Sequence, residues 1–406
     1  MFICSSGPRL GARPTPLRDP GAHNFNPGAG WSSLPEQLPD PFPYRAELDL
    51  PVPQRRNCAP TPTKKEHRGP SRLKPPLGFP GPIPAPCSRV WKDWSVCAPA
   101  LCVCVLRRWI SGGRCRCSLR LDGKTAVVTG ANGGIGKETS REFAKRGARV
   151  IMACRDIIRG EAAAQEIRSS TGNGDVEVKH LDLSSLLSVR SFCEEVLRTE
   201  ESLHLLVNNA GVMMCPKWLT EDGFEMQIAV NHLGHFLLTN QLLPLLRSSA
   251  PSRIINVSSI AHKGGEVDVD DLFFSRRSYS PLKSYRQSKL ANVLFTRELS
   301  RRERGSGVSC FCLHPGVIRT ELGRHVESSF PLLALLLSFP ALLFMKTPHE
   351  GSQTTVYCAV TPGLESKSGK YFSDCAEKET AAEGRDDETA LKLWNESCRL
   401  VGLDQD

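Results

Sequence analysis

From Leu121 onward, short apolar and β-branched runs alternate with longer stretches whose apolar positions recur every three or four residues. The first pattern predicts buried strands and the second predicts amphipathic helices packed over them. Strands are expected at 125–129, 148–153, 176–180, 203–208, 253–258 and 308–313. Helices are expected between them at 136–146, 159–169, 187–199, 223–246 and 283–303. Strand-helix alternation of this kind builds a parallel sheet through crossover units. The expected fold for residues 119–402 is therefore one doubly wound α/β domain of the Rossmann kind, with a mostly parallel seven-stranded sheet in the order 3-2-1-4-5-6-7.

The chain ahead of this domain is a different polymer. Of the 30 prolines, 21 fall in residues 1–100, where no helical or alternating period is visible. Such a segment cannot bury enough apolar surface to offset the entropy of ordering it, so residues 1–110 are expected to form a disordered Pro/Arg-rich extension. Charge divides at the same place. Residues 1–120 carry 18 Lys and Arg against 7 Asp and Glu, while residues 121–406 carry 34 against 36. The net +9 thus belongs to the extension, and a nearly neutral domain offers no electrostatic footprint for nucleic acid. The 16 cysteines follow neither disulfide-framework nor zinc-ligand spacings, so a reducing compartment and no metal are expected.

Two apolar segments bear on membranes. The run 98–106 is about half the length a bilayer-spanning helix needs. The nearly uncharged stretch 330–345, broken by Pro331 and Pro340, reads either as a helical lid on the core or as a greasy flap. A flap would line a lipophilic substrate site or make a peripheral membrane contact.

Candidate chemistry begins directly after the first strand. The turn Thr129-Gly130-Ala131-Asn132-Gly133-Gly134-Ile135-Gly136 leads into a helix, which lets backbone N–H groups approach a pyrophosphate at the positive helix end. At the end of the second strand the first charged group is Arg155, which suits the 2′-phosphate of NADP(H) better than the bare ribose of NAD, or else pairs with Asp156. Asp182, after the third strand, has two open roles: accepting from an adenine amino group, or capping the next helix. Further on, Tyr285 and Lys289 stand one helical turn apart on the same face. A nearby cation favours a phenolate, so this spacing can serve proton transfer. Ser258-Ser259 ends a strand and offers a hydroxyl at the carboxyl edge of the sheet, where open α/β sheets bind ligands.

Together these features resemble the short-chain dehydrogenase/reductase family, along nearly the whole stretch from 119 to 402. The glycine loop, Asn208-Asn209-Ala210-Gly211, Ser259, Tyr285, Lys289, and Pro315-Gly316 followed by Thr320 stand in the order and at the spacings of that family. More narrowly the chain resembles the microsomal retinol dehydrogenases, which reduce retinal with NADPH. The supporting stretches are 208–216 (NNAGVMMCP), 230–239 (VNHLGHFLLT), 288–296 (SKLANVLFT) and 368–375 (SGKYFSDC). The resemblance implies that Tyr285 is the acid-base, that Lys289 lowers its pKa and holds the nicotinamide ribose, and that Ser259 polarises the substrate oxygen. It implies that Asn231 holds a water in the proton path. It also implies that Asn208 and Gly211 stabilise the central strand beside the adenine ribose of the cofactor, and that Gly130, Asn132, Gly134, Ile135, Gly136, Arg155, Asp182, Ala210, Pro315, Gly316 and Thr320 contact or support the cofactor.

The partner it implies is a small lipophilic substrate, at the cytosolic side of the endoplasmic reticulum membrane. Members of this group begin with about 20 apolar residues as an anchor. Here residues 106–115 resemble only the basic stretch that follows it, and a Pro-rich tail takes the anchor's place, which points to a cytosolic or loosely membrane-bound enzyme. The rival reading is a cofactor-binding scaffold that has lost turnover. The full set Asn231, Ser259, Tyr285 and Lys289 argues against it.

Overall fold

The computed structural model describes residues 107, 108, 110–318 and 345–404. The extension up to residue 106, Thr320, and the apolar segment 330–345 except Met345 lie outside the described residues.

All six strands located from the sequence are present: β1 (Thr125–Thr129), β2 (Arg149–Cys154), β3 (Val176–His180), β4 (Leu205–Asn208), β5 (Ser252–Val257) and β6 (Val308–His314). They are parallel, in the order β3-β2-β1-β4-β5-β6, and β7 (Tyr371–Ser373) continues the sheet in parallel beside β6. An eighth strand, β8 (Ala376–Lys378), runs antiparallel to β7 and corrects the expected seven. Its residues are all exposed, so no apolar run announces it. The hairpin is closed by Asp374 and Cys375, both with positive φ, 53° and 56°. This is the handedness that fits the twist of paired strands in a two-residue turn.

Both faces of the sheet are covered, which is why its strands read as continuous apolar runs. Val128, Val150 and Met152 face α1 (Gly134–Lys145), α2 (Ile157–Thr171) and α6 (Pro348–Val360), packing with Phe143, Ile167 and Val356. Val127, Ile151 and Leu206 face the other way, in a layer with Phe192 of α3 (Leu186–Thr199), Phe236 of α4 (Gly234–Ser248), Phe295 of α5 (Pro281–Arg302) and Trp394 of α7 (Asp387–Val401).

Two features differ from the sequence expectation. The helix expected at 223–246 begins as a single turn, Met226–Ile228, passes through a π-helical turn, Ala229–Leu233, and only then becomes α4. Gly234 N–H donates to the Ala229 carbonyl five residues back, and such wide turns re-aim side chains, here Asn231. The packed chain also starts before 119. Cys115 N–H donates to Gln353 Oε1 at 3.2 Å and Cys117 Sγ to the Val360 carbonyl at 3.4 Å, so this stretch runs along α6. Among the described residues no helix is long and apolar enough to cross a membrane.

Candidate active site

Strand order reverses at β1, which has β2 on one side and β4 on the other, and this opens a crevice at the carboxyl ends of the strands. One half of the crevice is made by β1, its turn and α1. Helix α1 starts at Gly133 with no side-chain cap and no acidic residue in its first turn, whereas α2 and α3 are capped by Asp156 and Ser185. The first N–H groups of α1 therefore keep their capacity for an outside acceptor, and a pyrophosphate fits that need. Gly136 is required by close approach, since a Cβ there would lie 2.4 Å from the Gly130 carbonyl oxygen. Gly130 has a φ of +65° and lies against Ala210, 2.9 Å from its Cα to an ideal Cβ. Asn132, Gly134 and Ile135 are half-buried along the same turn.

Thr129 ties this turn to the loop after β4. Its Oγ1 accepts from Asn209 N–H and Ala210 N–H, both at 2.9 Å, and lies 2.9 Å from His235 Nε2. The Asn231 carbonyl can only accept, so His235 Nδ1 donates to it at 3.2 Å and the neutral Nε2 accepts from the Thr129 hydroxyl, which also lies 3.4 Å from the Val207 carbonyl. Burial holds His235 neutral, at about 3.

Arg155 is exposed at the end of β2. Its neighbour Asp156 accepts from Arg159 N–H as the cap of α2, and the other local cation, Lys137, pairs with Glu166 at 2.6 Å. Asp182 Oδ1 accepts from Ser184 N–H at 2.9 Å and Ser184 Oγ at 2.6 Å. Capping of α3 falls to Ser185, which closes one of the two roles open for Asp182.

The other half of the crevice is assembled from distant segments. Asn231, fully buried, accepts from Val212 N–H at 2.8 Å and donates to the Val212 carbonyl at 3.0 Å and to Ser288 Oγ at 2.9 Å. It binds the loop after β4 to α5, and Gly211 sits against it, with an ideal Cβ 3.0 Å from Asn231 Oδ1 and 3.6 Å from Lys289 Nζ. Lys289 Nζ donates to the Val257 carbonyl at 3.2 Å and lies 5.8 Å from the centre of the Tyr285 ring. Ser258 and Ser259 are told apart here. Ser258 is buried and donates to the Lys289 carbonyl at 2.6 Å, while Ser259 is partly exposed beside Tyr285. Pro315 is buried and Gly316 has a φ of +104° at the end of β6.

Asn208 ties the central strand to its neighbours. It is buried and its amide donates to Thr239 Oγ1 at 2.9 Å and Asn256 Oδ1 at 2.7 Å, with Asn256 passing a bond to Thr296 at 2.9 Å. Its amide nitrogen thus braces β4 against β5 and α4, while its Oδ1 is buried without a hydrogen-bond partner among the described residues.

Burial raises the Tyr285 phenol, and the Ser259 hydroxyl opposes that rise. Burial pulls the Lys289 ammonium down to about 8. A cation held this close to neutrality and a desolvated phenol, one turn apart, form an arrangement suited to moving a proton. Thr129, His235, and the pair Lys346–Asp374 described below were not singled out from the sequence. The threonine next to the glycine turn was the available signal for the first of them.

Residues 124–329 match the family model of short chain dehydrogenases. The chain belongs to the short-chain dehydrogenase family and is an oxidoreductase that uses a nicotinamide cofactor. Among its relatives, human retinol dehydrogenase 13 is 53% identical over 303 residues, covering 74% of this chain and 91% of the relative. Human retinol dehydrogenase 12 is 53% identical over 298 residues, covering 73% and 92%. A solved structure of a Mycobacterium paratuberculosis protein aligns with a TM-score of 0.57 at 37% identity, covering 70% of this chain and 96% of that one. The Pseudomonas aeruginosa RhlG/NADP active-site complex aligns with a TM-score of 0.50 at 25% identity, covering 62% and 95%.

Proposed function

We propose that this enzyme interconverts retinal and retinol, and related lipophilic aldehydes and alcohols, with NADP(H) as cofactor. The observation that carries the substrate class is the apolar rim of the crevice. Ile260 directly after Ser259, Val317 directly after Gly316, and Leu282 one turn before Tyr285 are all exposed large apolar side chains. The segments that carry Ser259, Tyr285 and Gly316 thus each have an exposed apolar side chain close in the chain to the proposed site residue. A polyene gains roughly 0.8 kcal/mol per CH₂-sized group covered, a gain a short aldehyde lacks. The names of the human relatives point the same way. For NADP(H), the support is the exposed Arg155 with its acidic neighbour engaged elsewhere, together with the NADP named in the RhlG complex.

When bound, the cofactor supplies or accepts the hydride. The chain's own residues do the rest. In reduction Tyr285 Oη gives its proton to the substrate oxygen, and in oxidation it takes it back. Ser259 Oγ accepts from Ala261 N–H at 3.2 Å and its hydroxyl bonds to the Tyr285 phenol, from where it can turn to donate to the same substrate oxygen. Lys289 keeps a positive charge near the phenol and donates to ribose hydroxyls. Asn231 holds Val212 and Ser288, so its side chain positions the loop and the helix between which the ammonium sits. The same reading places the enzyme at the cytosolic side of the endoplasmic reticulum membrane, where such substrates partition, and flotation of the full chain with microsomal membranes tests it.

The deciding experiment measures NADPH and NADH consumption by the full chain with all-trans-retinal and with a short aliphatic aldehyde. Turnover of retinal with NADPH at the higher kcat/KM is expected. A preference for the short aldehyde would overturn the substrate assignment, and a preference for NADH would overturn the cofactor assignment.

A further inference from the structure

We infer that Arg107 and residues 110–117, ahead of the strand-helix domain, form a strap that positions the Pro315-Gly316 loop through the ion pair Lys346–Asp374, an inference that rests on the dinucleotide reading of the crevice. At its first end the strap is fastened to α6. Arg107 Nη2 donates to Glu350 Oε2 and Ser111 Oγ to Glu350 Oε1, both at 2.7 Å. Burial alone would raise Glu350, but Thr347 N–H, the Ser111 hydroxyl and the Arg107 guanidinium together hold it at about 2. The same carboxylate closes the capping box of α6, accepting from Thr347 N–H at 2.8 Å. The next residue, Gly351, abuts both sides of the cofactor crevice. A Cβ there would lie 2.2 Å from Ile318 Cδ1 and 3.4 Å from Ile135 Cγ1.

The second end of the strap meets the β7–β8 turn. Gly112, with a φ of +69° that disfavours a side chain, lies directly against the ion pair, an ideal Cβ being 2.1 Å from Asp374 Oδ1 and 2.5 Å from Lys346 Nζ. Gly113 N–H acts on the Asp374 carboxylate, which burial raises but which Lys346 chiefly and Gly113 in part bring below its usual range. Lys346 is buried, donates to Asp374, and lies across Gly316, whose Cβ would be 2.6 Å from Lys346 Cδ. Its backbone N–H also donates to the Val317 carbonyl at 2.8 Å. The path thus runs from strap to Asp374 to Lys346 to Gly316 through direct contacts.

Asp374 is the first residue of the two-residue β7–β8 turn, where its positive φ suits the hairpin and the turn holds its carboxylate toward Lys346. Asp374 and Lys346 are positioning residues in this account, and neither touches the reacting atoms.

The test uses the full chain and two ligands, NADPH and 2′-phospho-ADP-ribose, which lacks the nicotinamide. Asp374→Asn keeps a side chain that tolerates the turn while removing the charge. Binding of NADPH, followed by nucleotide fluorescence, is expected to weaken about tenfold, because a misplaced loop loses contacts only at the nicotinamide end. Binding of 2′-phospho-ADP-ribose, followed by calorimetry, should stay as in the wild type. Lys346→Met should behave alike, and Arg107→Ala with Ser111→Ala should produce the same selective loss with a smaller amplitude. Equal loss for both ligands, or no loss for either, overturns the positioning role. Wild-type behaviour of the Arg107/Ser111 double variant overturns the strap. Should the wild type bind NADH in place of NADPH, the NADP(H) reading fails by itself, and the strap is tested unchanged with NADH and ADP-ribose.

Discussion

The two halves of the crevice are built on opposite physical plans. The phosphate half comes from one continuous stretch, β1 to the end of β2, and its donors are backbone N–H groups at an uncapped helix start plus an exposed Arg155. The proton-transfer half draws Asn231, Ser259, Tyr285, Lys289 and Pro315 from four separate regions, and buries most of them. Neutral backbone donors lose little by facing water, so the first half can stay open. A phenol and an ammonium that must exchange protons near neutral pH need a dry setting to bring their affinities for the proton closer together, as burial does for Lys289.

This contrast predicts different failures in the two halves. The largest effect is expected from Tyr285→Phe, which should lower kcat by about a thousandfold while NADPH still binds, since the proton donor is lost and the phosphate half is intact. Single-turnover rates alongside fluorescence titration check it, and near-normal rates would remove Tyr285 from the chemistry.

Lys289→Met should also abolish efficient turnover, yet make the protein more stable. The unfolded lysine holds its proton up to about 10.5 and the folded one only to about 8, so below that value the wild type carries the full penalty of a buried charge. Relief of that penalty corresponds to about 3 kcal/mol at pH 7. Between about pH 8 and about pH 10 the unfolded wild type binds more protons than the folded one, so its stability rises and the variant's advantage shrinks. Urea melts of both proteins across that range would show it, and a pH-independent gap would mean that Lys289 is not buried as an ammonium.

In the phosphate half, Arg155→Asp should leave kcat largely alone and lower the NADPH-over-NADH ratio of kcat/KM by about a hundredfold, the loss of a charged contact plus added repulsion. An unchanged ratio would transfer phosphate reading to Lys137. The smallest effect concerns the rim. Ile260→Ser with Val317→Ser should raise KM for retinal by about tenfold and leave that for a short aldehyde unchanged, at roughly 0.8 kcal/mol per CH₂ uncovered. Equal changes for both substrates would mean that the rim serves the fold and not the ligand.

The phosphate half was legible because its residues are neighbours in the chain: a strand, a glycine turn and a helix leave a local pattern that needs no tertiary information. Tyr285 and Lys289 were legible for the same reason, being one turn apart. The choice between Ser258 and Ser259 rested on resemblance, and the structure shows the physical distinction in the bond from Ser258 to the Lys289 carbonyl. For Asn208 the resemblance implied a brace of the central strand beside the cofactor, and the structure supplies the partners, Asn256 and Thr239, that no local pattern names. The π-helical turn at Ala229–Leu233 leaves no trace in a 3.6-residue pattern, since its residues are buried all round.

By itself the sequence determined the alternation of strands and helices, the parallel core and the kinds of side chain available for hydride chemistry, because these follow from apolar period and from spacings within one or two turns. Only the tertiary structure decided which polar groups face the crevice and which brace it, added the exposed edge strand β8, and brought Gly112, Asp374, Lys346 and Gly316 into one line of contacts. The contacts of Gly112 join positions more than two hundred residues apart, and a contact of that range depends on how the helices and loops pack around the sheet, which no local pattern of the chain encodes.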